Sequence, residues 1–193
     1  KKIFFIEELF FFTALCAWTI VRGFQPDING LEKFMDFGFV NSILRSSYMP
    51  PIDMWFPPEP INYYYFGHFI TAVLTKISLL PSYLTYNLMI ATLFALCLIE
   101  SSMIGYYLIQ SNSKLRRFLT LVLCGLLATI GGNLHTIYAF FKPYQNENPK
   151  PFWDLIFSPL TLQHNSYWYP NATRFIMNTI HEFPLYSFVV SDL

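Results

Sequence analysis

Charge is what this chain has least of. Of its 193 residues, 12 are Lys or Arg and 12 are Asp or Glu, so the formal net charge is zero. A water-soluble domain of this length would carry roughly 48 charged residues. With 54% of residues hydrophobic and a mean hydropathy of +0.38, a soluble globule and a disordered chain are both excluded. The even balance also lacks the basic excess that nucleic acid demands, so no nucleic-acid partner is expected. Cysteine is scarce too, and Cys16, Cys97 and Cys124 lie inside apolar runs, where they read as small hydrophobes rather than a disulfide framework or a metal site. A glycine-rich phosphate loop, HExxH, CxxC and GxSxG are all missing, so soluble-nucleotide chemistry has no support. What the chain does have is long hydrophobic runs. It reads as an all-α integral membrane protein whose first partner is membrane lipid.

Residues 3–21 form an apolar run of about 28 Å as a helix, enough to cross a hydrocarbon core. No small-residue cleavage site follows it, so it reads as an uncleaved first span. Residues 84–109 and 118–141 read as further spans, and 175–193 as the start of another, interrupted by His181, Glu182 and Pro184. The basic turn at Lys114, Arg116 and Arg117, together with Lys1 and Lys2, marks the cytoplasmic side. That places the N-terminus in the cytoplasm and puts residues 22–83 and 142–174 in outer loops. It also requires the short hydrophobic stretch 68–80 not to cross, and so to form a re-entrant or juxtamembrane helix. Residues 31–45 repeat apolar side chains at Leu31, Phe34, Met35, Gly38 and Ser42 or Ile43, with Asp27 or Asn29 as N-cap. This pattern predicts an amphipathic helix on the membrane surface. Opening on Lys1 and stopping at Leu193 inside a hydrophobic stretch, the chain reads as a single incomplete membrane domain over 1–193.

Sorted by side, nine of the twelve acids (Asp27, Glu32, Asp36, Asp53, Glu59, Glu147, Asp154, Glu182 and Asp192) fall outside or at the outer boundary. Glu32 and Asp36 are spaced i,i+4, which on a helix puts both carboxylates on one face, within reach of one acceptor or one divalent cation. A solvated face on an interfacial helix is the plainer reading of the same spacing. Tyr63, Tyr64 and Tyr65 cannot all face one way on a helix; they serve either an aromatic belt or a cavity, next to His68. Asn133 and His135 lie near the outer end of the third span, at the depth of a membrane-surface site. His181, Glu182 and Asp192 place polar groups in the last apolar segment. Asn171-Ala172-Thr173 matches a glycosylation acceptor triplet.

Several stretches resemble the YYY family of bacterial and archaeal membrane proteins. They are Pro26-Asp27, Glu32-Lys33-Phe34-Met35-Asp36-Phe37, Pro50-Pro51-Ile52-Asp53-Met54-Trp55, Ile61-Asn62-Tyr63-Tyr64-Tyr65-Phe66-Gly67-His68, Tyr86-Asn87-Leu88 and Glu182-Phe183-Pro184-Leu185-Tyr186-Ser187-Phe188 through Asp192-Leu193. Where such proteins carry a glycine-containing loop before the tyrosines, this chain has Phe56-Pro57-Pro58-Glu59-Pro60, and their pattern continues with a histidine beyond the Asp-Leu pair. The resemblance implies a multi-span GT-C-like fold in a prokaryotic cell membrane, with juxtamembrane helices in the first outer loop. It also implies sugar transfer from a polyprenyl-phosphate-linked donor at the outer leaflet.

In that scheme Glu32 or Asp36 is the catalytic carboxylate that deprotonates or orients the acceptor hydroxyl. The departing phosphate is stabilised by His68, tyrosine hydroxyls, Arg45 or a divalent cation, the one cofactor the scheme allows. Asp53, Asn62, Asn133, His135, His181, Glu182 and Asp192 complete the substrate-binding set. The alternative function is a multi-span transporter or lipid-binding protein, in which Glu100, Asn133, His135 and Glu182 line a pathway. A packing subunit without chemistry would account for the aromatic excess but not for the acids.

Overall fold

The computed structural model describes residues 2–30, 32–132, 178–179 and 184–190. It is helical, and the described residues form no sheet beyond one isolated bridge between Ile52 and Pro60. We label the helices α1 (Lys2–Gly23), α2 (Lys33–Arg45), α3 (Phe66–Ser78), α4 (Ser82–Leu108), α5 (Lys114–Thr129) and α6 (Pro184–Val190). The chain divides into two compact units, Lys1–Ala128 with Tyr186–Leu193, and Thr129–Leu185. Almost all the described side chains belong to the first, and the account below concerns that unit.

Two helices, over Phe4–Gly23 and Ser82–Leu108, are long and apolar enough to cross a membrane. They match the expected first and second spans. Their polar and aromatic pairs show that they run antiparallel: Arg22 bonds Asn87, Trp18 stacks on Phe94, and Glu7, Glu8 and Phe11 share a cavity with Leu96, Ile99 and Glu100. The packed face of α4 includes Ala91, Ala95, Leu98, Ser102 and Gly105 at alternating steps of three and four, and its small residues Ala91, Ala95, Ser102 and Gly105 let a neighbouring backbone approach. The outward side chains of α1, among them Phe5, Ile6, Leu9 and Ile20, are large and apolar. A helix that turns such residues away from the protein is solvated by lipid.

Because α1 and α4 are antiparallel, residues 24–81 all fold at one end of the pair. There α2 and α3 pack together through Val40, Ile43 and Ala72, flanked by Leu44, Tyr65 and Phe69. At 13 residues α3 is about 20 Å long, too short to span. It ends on Leu79 in the left-handed conformation (φ 58°), and Pro81 then starts α4. The expectation that the 68–80 stretch forms a short helix between the spans agrees with this geometry.

α3 is built in reverse of a water-soluble helix. Its buried side chains are His68, Thr71, Ala72 and Thr75, whereas Phe66, Ile70, Val73, Leu74 and Ile77 face outward. Such an arrangement suits contact with lipid and not with water. α2 buries a mixed face, which shares only Ile43 with the expected stripe. The residues it buries are Lys33, Asp36, Phe39, Val40 and Ile43, while Phe34 is exposed. The helix also starts later than expected: Glu32 is its N-cap, in place of Asp27 or Asn29, and makes no side-chain capping bond.

Two further boundaries differ from the sequence reading. The third span, expected over 118–141, appears as a helix that begins at Lys114 and ends at Thr129, with Gly131 and Gly132 non-helical. Two adjacent glycines lose the most entropy on being fixed in a helix and so favour a break there. The fourth segment, 175–193, is not one helix, since Asn178 takes a positive φ of 60° and α6 starts only at Pro184. Proline at the first helical position needs no amide partner, which explains that start.

α5 lies against α4 at two glycines. A Cβ on Gly105 would stand 2.6 Å from the Cβ of Cys124, and one on Gly125 would meet Ser102 Oγ and stand 3.0 Å from the Leu98 carbonyl. Gly105→Ala is expected to cost about 1–3 kcal/mol by forcing the two helices apart. Gly23→Ala, where the added carbon meets nothing within 4 Å, should stay within about 0.5 kcal/mol of the parent. Thermal unfolding in detergent checks both, and equal effects would contradict the close packing.

Candidate functional site

The segment between α1 and α4 brings four elements together through polar side chains. Asp36 Oδ1 lies 3.0 Å from His68 Nε2, tying α2 to α3, and both residues are about 1% exposed. Among the described residues this is the one ion-pair contact. The Phe39 ring stands edge-on to the imidazole at 5.4 Å, and His68 Nδ1 is buried without a hydrogen-bond partner. Thr75 and Thr85 share a hydroxyl bond of 2.6 Å between α3 and α4, and Ser82 Oγ donates to Asn41 Oδ1 at 3.0 Å between α4 and α2. At the end of α1, Arg22 donates to Asn87 Oδ1 at 2.6 Å and to the Val189 carbonyl at 3.0 Å, while Asn87 Nδ2 donates to the Pro26 carbonyl at 3.0 Å.

The two expected catalytic carboxylates are separated by burial. Glu32 is exposed at the start of α2, whereas Asp36, one turn on, is sealed inside with His68. The expected common face for one acceptor or one divalent cation is therefore not presented to solvent. Asp36 lies on the face that α2 packs into the protein, and Glu32 at the start of the helix does not. Among the described residues no three His, Cys, Asp or Glu side chains come together, so no divalent-cation site is assembled from them.

Two cavities flank this framework. One, of about 700 Å³, has a mixed lining and lies along the C-terminal half of α2 and the loop after it, where Asn41, Ser42, Arg45, Ser47, Tyr48 and Asp53 alternate with apolar residues such as Ile52 and Met54. Arg45 is exposed. Asp53 is held in place because its Oδ1 accepts the backbone amides of Trp55 (2.8 Å) and Phe56 (3.3 Å), and the strand-like turn is closed by Ser42 Oγ donating to the Ile52 carbonyl. The other, of about 430 Å³, is aromatic, formed by Met49, Tyr63, Tyr64, Tyr65, Phe66 and Phe69. They share no lining residue, but Met49 of the second stands in the chain between Tyr48 and Pro50 of the first.

The tyrosines precede α3 and are not helical, yet their side chains do part company. Tyr63 and Tyr64 stack with ring centroids 4.0 Å apart and share a hydroxyl bond of 2.8 Å, while Tyr65, the N-cap of α3, turns toward the α2–α3 core. Asn62 is exposed. Of the other expected site residues, Asn133, His135, His181, Glu182 and Asp192 lie outside the described residues. The sequence reading did not select Arg22, Lys33, Asn41 or Asn87. A polar side chain within or just beside an apolar run was the available signal for Arg22 and Asn87. Lys33 is buried, and its ammonium pKa is lowered, first by that burial and then by the charge of Arg22, against a smaller opposing pull from Asp27.

Replacing one member of a buried hydrogen-bonded acid–imidazole pair leaves the other without its partner. Asp36→Ala and His68→Ala are each expected to cost about 3–5 kcal/mol. The double variant should cost at least about 1 kcal/mol less than their sum. A double-mutant cycle of detergent unfolding measures the coupling, and strict additivity would show that the two side chains do not interact.

The model of a family described as an uncharacterized membrane protein (DUF2298) matches residues 1–193. No curated protein and no solved structure matches the chain.

Proposed function

The chain belongs to the uncharacterised membrane protein family DUF2298, and from that premise we propose that it forms part of a membrane glycosyltransferase acting on a polyprenyl-phosphate-linked sugar at the outer leaflet. The observation that carries this reading is the pair of cavities in the segment between the two spans, one holding a cation, a carboxylate and hydroxyls among apolar side chains and the other aromatic. An amphiphilic donor has the same division. Its sugar and phosphate need hydroxyls, a cation and a carboxylate, while its isoprenoid chain packs on aromatic and apolar side chains. Arg45 supplies the cation for the phosphate, and Ser42, Ser47, Asn41 and Tyr48 supply polar groups for a sugar.

In the transfer, the acceptor oxygen forms a bond to the anomeric carbon as the bond from that carbon to the phosphate oxygen breaks. The phosphate leaves with the electron pair, and the acceptor proton passes to a carboxylate. Asp53 is the carboxylate lining the Arg45 cavity, already oriented by two backbone amides. Glu32 is the exposed carboxylate at the start of α2 and the second candidate for that role. Asp36 acts through His68 by holding α2 against α3.

A transport pathway finds less support. Between Arg22 and Asn87 at one end and Glu7, Glu8 and Glu100 at the other, the packed faces of α1 and α4 carry Ala14, Trp18, Phe94, Ala95 and Leu98, an apolar seal among the described residues.

With the intact protein in lipid, Asp53→Asn should lower sugar transfer by about 10²-fold or more. Arg45→Gln should raise the donor KM. Neither should shift the unfolding midpoint as Asp36→Asn does. Radiolabelled transfer from a panel of polyprenyl-phosphate sugars is the assay. Turnover surviving in Asp53→Asn and lost in Glu32→Gln would move the base to Glu32. No turnover with any donor would remove the reading.

A further inference from the structure

Arg22 and Lys33 take no part in either cavity, yet each is only 6% exposed. Arg22 uses two of its guanidinium nitrogens on neutral acceptors, Asn87 Oδ1 and the Val189 carbonyl, and its buried Nε has no partner. The Lys33 ammonium has a single long contact, 3.4 Å, to the Asp27 carbonyl. Among the described residues neither makes an ion pair with a carboxylate. The two cations are near enough that Arg22 depresses the ionisation of Lys33, and the exposed Asp27 offsets this only in part. Two positive charges withdrawn together from solvent, with the nearby carboxylates of Asp27 and Glu32 both left exposed, are a costly arrangement unless an anion completes it.

Two more features fix the chemistry of that anion. Lys33 is the first residue of α2, and no side chain caps that helix end, so its first-turn amides add donors and a positive dipole end on the same side as the ammonium. Arg22 closes the apolar run of α1, and Asn87 lies in the second turn of α4. This is the level at which a span leaves the hydrocarbon and meets lipid phosphates. A guanidinium with an uncommitted N–H, an ammonium and open helix amides fit a tetrahedral phosphate oxyanion.

We propose that Arg22, Lys33 and the N-terminus of α2 form a phosphate-binding site at the membrane boundary, separate from the Arg45 cavity and independent of the glycosyl-transfer reading. Its ligand is a phosphate ester or phosphate ion that neutralises the two buried cations. Binding there clamps the end of α1 to the start of α2 and, through Asn87, to α4.

The test uses the purified protein in phosphate-free maltoside micelles, titrated in separate arms with inorganic phosphate and with phosphatidylglycerol, with the thermal midpoint as readout. The parent protein should show a saturable rise in at least one arm. A rise with phosphatidylglycerol alone identifies a lipid headgroup, and a rise with inorganic phosphate identifies a free anion. Lys33→Met should weaken the apparent affinity roughly tenfold or more. In anion-free micelles it should be no less stable than the parent, because it removes a buried charge that nothing there neutralises. Lys76→Met, an exposed cation elsewhere on the loop, should leave the titration unchanged. Three outcomes would overturn the site: no rise in either arm, an unaltered response in Lys33→Met, or a Lys33→Met protein destabilised without anion. The last would mean that the chain supplies the counter-charge itself.

Discussion

Side chains that cannot be solvated by lipid must find one another, and the segment between α1 and α4 is organised by that constraint. Asp36 meets His68, Thr75 meets Thr85, Asn41 meets Ser82 and Arg22 meets Asn87. Each contact joins a different pair of helices, so the four together fix α1, α2, α3 and α4 without a large hydrophobic core. In a bilayer the apolar surface gains little by turning inward, because lipid tails solvate it as well as other side chains do. Polar contacts and the close approach of small residues carry the association instead, and Gly105 and Gly125 supply the second of these where α5 meets α4.

The same constraint accounts for the site's geometry. Once α2 turns Lys33, Asp36 and Val40 inward, Arg45 and the residues after it are left on the opposite border. There the chain folds back through Ser42 and Asp53 around the Arg45 cavity. Once α3 begins at Phe66, the tyrosines preceding it remain non-helical and can stack as Tyr63 and Tyr64 do. The Arg45 cavity and the aromatic groove are therefore products of which faces the two short helices bury.

How much of this was legible in the sequence depends on whether water or lipid sets the rule. The α1 and α4 spans were readable from apolar length alone, and the side of the membrane marked by the basic residues led to a short helix over the 68–80 stretch, where α3 lies. The buried face of α2 was not readable, because the stripe through Leu31, Phe34, Met35, Gly38 and Ser42 or Ile43 reads as facing the membrane surface and says nothing of which residues meet α3. Asp36 and His68 were both selected, but as separate site residues: nothing local in a sequence shows that positions 32 residues apart touch. The end of α5 was misjudged where hydropathy was weighed above Gly131-Gly132, whereas the interruption expected at Pro184 is where α6 begins.

The central claim is that α3 presents its apolar face to lipid and its His68, Thr71 and Thr75 face to the protein. Nitroxide scanning over residues 66–78 in liposomes, read with oxygen and with a water-soluble paramagnet, tests it most directly. Oxygen collision should peak at positions 66, 70, 73, 74 and 77 and fall at 68, 71, 72 and 75. Peaks for the water-soluble reagent at 66, 70, 73, 74 and 77, or no helical period at all, would contradict the account.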